Sequence, residues 1–509
     1  MRSGSTFIGT DAGTEQLITA LRAGGFDVGP PTTVATTVLD TFDGRVHRAG
    51  LRLTRRNAVL VLAGREVVTV EVASPAVPRV ATDLPPGPFR ARLAEVLDVR
   101  ALLVLATFTS REHPIVRRNS DGKVVASASL VERVEAPPGP LGEWFVVVDD
   151  VTGYDRRSSD LGALVVAAGA RPLDDDDGTI ADIVLRAAGV DPAGHHDDPS
   201  VPLDADEPAL DGFRLVLANL AASIVANVAG TIDDIDSEFL HDLRVAVRRS
   251  RSVVGHGRHV LPADLGEWGA NELKSIGTLT GPPRDLDVYV LEWDDYVGGL
   301  GADVVRALQP VRDQLESSRA AAYDDLAGML RSDAVTRVLR QWQGRLAAPI
   351  DPALGGRDAA RPLAAVVRRR IDKAQSRLLD HGRAITAATP AEEVHELRKD
   401  AKKLRYLLEC FGGLLPDDDR TAFVKRLKAL QDNLGEHQDA EVHVAELRQA
   451  VAELPTGTAP TTFVAVGQLI EQLDARRQAA RDEFAERFTA YDSPKTHRAL
   501  ARLLDGMTA

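Results

Sequence analysis

The stretch HDLRVAVRRSR, residues 241–251, returns 154 positions later as HELRKDAKKLR, residues 395–405. The same offset carries Leu261 and Pro262 onto Leu415 and Pro416, Leu273 and Lys274 onto Leu427 and Lys428, Gly281 onto Gly435, and Asp285 onto Asp439, without a gap. Such a duplication means that one structural unit is built twice into the chain, and two copies pack about a pseudo-twofold axis. Apolar residues spaced three and four apart make the unit helical: Leu243, Val247 and Val254 in the first copy, Leu397, Ala401, Leu404 and Leu408 in the second. At 100° per residue, His241, Arg244, Arg248 and Arg251 fall within roughly 80° of one another on a different face. His395, Arg398, Lys402 and Arg405 do the same. Arg249 and Lys403 widen each stripe, and Lys274 and Lys428 extend it within each unit.

A basic stripe on one helix is ordinarily a solvated face. Here both copies keep a histidine first and cations at the next three positions, where like charges one turn apart repel. Multivalent phosphate would convert that repulsion into charge-assisted hydrogen bonds, so the stripes point to an anion, and two equivalent stripes should grip one polymer equally. A metal held by His241 with Asp285, or by His395 with Asp439, is disfavoured, because three cations beside each histidine repel a dication. No residue is assigned to catalysis, to a metal or to a cofactor. Aromatic residues form 5% of the chain, no Phe or Trp interleaves the stripes, and Tyr406 is the nearest ring. Nucleic acid, which wants stacking platforms, therefore ranks below a base-free polyanion. Each histidine adds charge below about pH 6.5, so binding is expected to strengthen on acidification.

The rest of the chain sets these stripes in context. With 509 residues, 44% of them hydrophobic, the protein should form two or three domains. Its net charge of −14 is unevenly spread: residues 171–211 hold twelve acids, including Asp174, Asp175, Asp176 and Asp177, against two basic residues. That stretch, with Pro, Gly and the paired His195 and His196, reads as an acidic linker over 171–207. By contrast, residues 368–405 hold eleven Lys or Arg against six acids. Before the linker, the segments TTVATTVLDTF, GLRLTRRNAVLVLAGREVVTVEVA and KVVASASLVERVEA are short, Val- and Thr-rich and cut by turn residues, with GTEQLITALRAGG helical. This predicts an antiparallel β-rich domain over 1–170. After the linker, helical periodicity over 208–505 is interrupted by LPADLG, TGPPRD, CFGGLLPDDD and LPTGTAP, which predicts an all-α domain and an α+β chain overall. The most apolar run, LVLANLAASIVANVAG, is broken by Asn219, Ser223 and Asn227, so no membrane span is expected. The single Cys410 and the absence of a secretory-type leader in MRSGSTFIGT fit a cytoplasmic protein.

The H-x-L-R-V-A-x-R-R-x-R element at 241–251, RDLDV at 284–288 and HELRKDAKKLRY at 395–406 resemble the CHAD family, the conserved histidine α-helical domain. The resemblance spans residues 208–505. It implies two four-helix bundles related by pseudo-twofold symmetry, with basic surfaces that bind inorganic polyphosphate. The family's positions fall here on His241, Arg244, Arg248, Arg251, His395, Arg398, Lys402 and Arg405. Residues 1–170 resemble a CYTH domain of the triphosphate tunnel group through LDTFDGRVHRAGLRLTRR, residues 39–56, which carries Arg52 and Arg55. That family's E-x-E-x-K is missing from MRSGSTFIGTDAG, and EWFVVVDD offers only Glu143, Asp149 and Asp150 where metal-binding glutamates are expected. Without carboxylates to hold a divalent ion, Arg52, Arg55 and Arg111 would bind an anion without hydrolysing it. The chain is thus expected to be a non-catalytic polyphosphate-binding protein associated with cytoplasmic polyphosphate granules. The alternative is a tunnel-type triphosphatase or polyphosphatase with the helical domain presenting substrate.

Overall fold

The structure is a computed structural model that describes residues 5–10, 13–64, 68–71, 76–149, 151–174, 178–195, 198–386 and 388–508. The chain divides into two compact units, 1–196 and 197–509. Asp150, Asp175, Asp176, Asp177 and His196 lie outside the described residues.

The first unit is built on one antiparallel sheet. Its main strands are β1 Thr6–Thr10, β2 Thr32–Asp40, β3 Arg52–Arg56, β4 Val59–Ala63, β5 Val68–Glu71, β6 Leu103–Arg118, β7 Val124–Ala136 and β8 Glu143–Asp149. They run in the order β1-β8-β7-β6-β2-β3-β4-β5. Alternation sorts each strand's residues onto two faces. On β2 and β3, Leu39 and Leu53 join the core under helix α2, Pro88–Leu97, with Phe89, Leu93 and Leu97. On β1 and β8, Phe7, Trp144, Val146 and Val148 face helices α1, Thr14–Ala23, and α3, Asp155–Ala167. The turn after β2 is fixed by Asp40, whose buried carboxylate accepts backbone amides from Thr41, Val46 and His47 at 2.7–2.8 Å. The 16-residue β6 pairs with both β2 and β7 and was not singled out in the sequence.

The stretch read as a solvated linker, 171–207, is instead shared between the two units. Arg171 and Pro172 pair with β1. Residues 180–187 form helix α4, Ile180–Ala187, started by a capping box between Thr179 and Asp182. Its Ala181, Val184 and Leu185 are buried against Val38, Phe108, Val131 and Phe145 on the second face of the sheet. Val201, Leu203 and Ala205 pack on the core of the second unit. Acid content marked this stretch as solvated, but Ile180, Ala181, Val184 and Leu185 form an apolar stripe that it masked.

The second unit contains two four-helix sets. The first is α5 Ala209–Ile232, α6 Ser237–His256, α7 Ala263–Leu279 continued by α8 Gly281–Leu291, and α9 Gln309–Leu330. Helix α10, Asp333–Ala347, follows as a fifth element. The second set is α11 Leu363–Ala384, α12 Ala391–Cys410, α13 Asp417–Ala452 and α14 Pro460–Tyr491, followed by α15 Pro494–Asp505. Prolines that cannot continue a helix stand at the N-caps of α7, α11, α12 and α13: Pro262, Pro362, Pro390 and Pro416. In the first copy Pro282 and Pro283 coincide with the break between α7 and α8; the second has Glu436 and His437 there, and α13 runs through for 36 residues.

Both sets share one core, to which α5 contributes Phe213, Leu217, Leu220 and Ile224 and α13 contributes Phe423, Leu427 and Leu434. Helix α5 is long and apolar enough to cross a membrane by length and composition, and here it is a central core helix. It approaches α6 through Gly230, where an added Cβ would sit 2.2 Å from the Phe239 ring.

Candidate functional site

Helices α6 and α12 pack against each other where the two sets meet. Their stripes face one cleft of about 1230 Å³. From each copy the first three predicted residues reach it: His241, Arg244 and Arg248 from α6, and His395, Arg398 and Lys402 from α12. Arg251, Lys274 and Lys403 line it too.

Three predicted residues do not. Arg249 is turned into an ion pair with Glu409, Nη2 to Oε2 at 2.8 Å. Arg405 is held by Glu409 at 2.9 Å and by Gln431 Oε1 at 3.2 Å. Lys428 is exposed on α13 and does not line the cleft. A helical wheel gives the angle of a side chain, and its partner decides where the charged end goes. Arg258, Arg284 and Lys399 line the cleft and went unassigned, although Arg284 stands in the quoted RDLDV. In all, ten Lys or Arg face four acids, Glu267, Asp285, Glu292 and Asp439.

Several cations are already engaged by the fold. Arg398 Nη2 is 3.0 Å from Asp439, and His395 Nδ1 is 2.6 Å from Gln438 Oε1. Arg244 is buried and reaches the Gly277 carbonyl and the Thr280 hydroxyl at 3.4 and 3.3 Å. Arg248, Arg251, Arg258, Lys274 and Lys402 make no ion pair among the described residues. Burial, with Arg248 adding repulsion, pushes the Arg244 guanidinium down to about 10. Burial, then Arg398 and Arg248, pushes Lys402 down to about 7, against the opposing pull of Asp439. The site thus holds charge that the protein alone does not neutralise, which is what a polyanion would supply.

The arginines expected to bind an anion in the first unit are placed differently. Arg52 Nε lies 2.8 and 3.0 Å from the two carboxylate oxygens of Asp182, which is 1% exposed beneath it on α4. Arg55 follows Leu53 onto the opposite face of β3. Arg111 pairs with Glu132 at 3.1 Å, and His113 joins the same carboxylate at 3.2 Å. Of the candidate acids, Glu143 and Asp149 stand at opposite ends of β8, about 20 Å apart along an extended strand, so they do not converge. Sequence reasoning passed over Glu112, which is buried and accepts from Arg56, Ser110 and Ser129.

Comparison with known proteins places the repeat. The family model described as "CHAD domain" matches residues 215–448. Two uncharacterized proteins from strains of Mycobacterium tuberculosis are 26% identical over 297 residues, and the chain spans about half the length of these curated relatives, 55%. Among solved structures, the CHAD domain from the plant Ricinus communis is 27% identical, covering 57% of this chain and 95% of that one with a TM-score of 0.48. A putative adenylyl cyclase of Hippeastrum, described as revealing a dominant triphosphatase activity, is 18% identical over 38% of this chain and all of its own, with a TM-score of 0.27.

Proposed function

Residues 215–448 are a CHAD domain, and from that premise we propose that this protein captures inorganic polyphosphate in the cleft between its two helical sets. The carrying observation is the convergence of ten cations on one cleft from both copies of the repeat, six of them without an ion pair among the described residues. Linear polyphosphate offers one anion per unit and no base, which suits a cleft lined by no Phe or Trp among the described residues. In this reading the protein binds and does not hydrolyse. Asp182 already occupies the Arg52 guanidinium, and Glu132 that of Arg111. A binder of this kind would gather at polyphosphate granules in the cytoplasm.

The test is a titration of long-chain polyphosphate at rising salt, with released phosphate measured in the same samples with and without magnesium or manganese. Affinity is expected to fall steeply, because each phosphate neutralised by Lys or Arg displaces condensed counterions. Flat affinity from low to high salt would defeat the electrostatic track. Metal-dependent phosphate release lost on Arg52→Ala would replace the binding reading with the triphosphatase one.

Lys402 gives the pH dependence a sign. Below pH 7 the free site already carries its proton; above it, the lowered pKa means that binding must take a proton up to place an ammonium against phosphate. Affinity should therefore decline as pH rises from 7 toward 9, and Lys402→Arg, charged throughout, should flatten that decline. Calorimetry in buffers of different ionisation enthalpy reads the uptake directly. Binding without proton uptake at pH 8 would show that Lys402 does not meet the anion.

A further inference from the structure

Resting on the polyphosphate reading, a finer feature emerges: the two copies contribute unequally to the cleft. His241, Arg244 and Arg248 are matched by His395, Arg398 and Lys402, which makes a shared centre. Beyond that centre the first copy continues with cations that make no ion pair among the described residues, whereas Lys399 and Lys403 of the second copy line the cleft paired with Glu396 and Asp400. Arg251 and Lys274 line the cleft, whereas their counterparts Arg405 and Lys428 do not.

Two positions of the repeat explain the difference. Glu409 stands where the first copy has Gly255, and its carboxylate takes both Arg405 and Arg249. Gln431 stands where the first copy has Gly277, and it accepts from Arg405 Nη1. In the first copy neither restraint exists. An added Cβ at Gly255 would meet open space, and one at Gly277 would lie 3.4 Å from Arg251 Nη1, so the guanidinium passes directly over that glycine. Arg258, at the position of Gly412, adds a third cation to the same side.

We propose that the cleft is a one-armed track. The shared centre holds a few phosphates, and an arm made by Arg251, Arg258 and Lys274 holds the phosphates that follow. The ligand class is then a linear polyphosphate longer than the centre, selected over short oligophosphates because each further phosphate neutralised adds counterion release, and a chain already held at the centre meets the arm at high effective concentration.

The experiment compares inorganic tripolyphosphate with long-chain polyphosphate on the full chain. Replacing Arg251, Arg258 and Lys274 together by alanine should raise the long-chain Kd by about tenfold or more beyond any rise for tripolyphosphate. Arg405→Ala with Lys428→Ala should leave both Kd values within about twofold, as expected for surface changes outside the cleft. Unfolding midpoints of each variant verify that it is folded. If the unaltered protein binds neither polymer, the polyphosphate reading itself falls. If it binds both, but the arm variant loses the two alike or the Arg405 and Lys428 variant loses as much long-chain affinity as the arm variant, the one-armed track is overturned and the reading stands.

Discussion

Replacing Arg248 and Lys402 together by alanine is expected to weaken long-chain polyphosphate binding by about two to four orders of magnitude, at about 1.5–3 kcal/mol for each charge-assisted contact. These are equivalent positions of the repeat, and both line the cleft without an ion pair among the described residues. The sign of the stability change separates a binding role from a scaffold role. Arg248 contributes to the repulsion that, after burial, holds Lys402 and Arg244 below their usual ranges. Removing both cations relieves that repulsion, so the unfolding midpoint without ligand should stay at or above that of the unaltered protein. A cation that held the fold would show the opposite, a lowered midpoint with affinity lost in proportion. Affinity within about twofold in the folded double variant would return the stripes to a solvated face.

The duplicated stripe was legible because cations at helical spacing need only the helix period to be placed on one face, and seven of the eight stripe positions meet the cleft. Arg405 escaped because Glu409, four residues on, captures it. That i,i+4 pair was visible in the sequence and gave the signal. The capture of Arg249 by the same carboxylate was not, since the two are 160 residues apart and meet only when α6 packs on α12. Helix α4 was hidden for a different reason. The stretch around it is rich in acids, but its own Asp182 is folded inward onto Arg52 and Thr179, so the charge that suggested solvent is in part buried charge. The sheet strands were readable from Val and Thr content, whereas the partners of Arg52, Arg55 and Arg111 depend on which face each occupies, and that follows from pairing across the sheet.

The pair of aspartates in RDLDV gives the second large effect. Residues two positions apart on a helix point about 200° from one another, so Asp285 and Asp287 cannot serve one face. Asp285 lines the cleft, and burial raises its pKa while Arg244 and Arg248 pull it back. Asp287 is 1% exposed and accepts from the Tyr323 hydroxyl at 2.6 Å and from Arg319 Nε at 2.7 Å. Arg319 also bridges to Asp234 at 2.7 and 2.9 Å and lies over the Tyr323 ring. One carboxylate thus ties α8 to α9 and, through Arg319, to the turn after α5. Asp287→Ala should cost about 3–5 kcal/mol, because it strips a largely buried guanidinium and a buried hydroxyl of their shared acceptor. At about 2–4 °C per kcal/mol for a unit of this size, the unfolding midpoint should fall by roughly 6–20 °C. Asp287→Asn keeps one acceptor and should cost less. Polyphosphate affinity, measured well below the lowered midpoint, should stay within about twofold, since Asp287 faces the interior while seven of the ten cations proposed to meet phosphate are carried by α6 and α12. Loss of affinity at an unchanged midpoint would instead move Asp287 into the site, and would mean that the cleft is shaped by α8 as much as by the two helices that carry most of its charge.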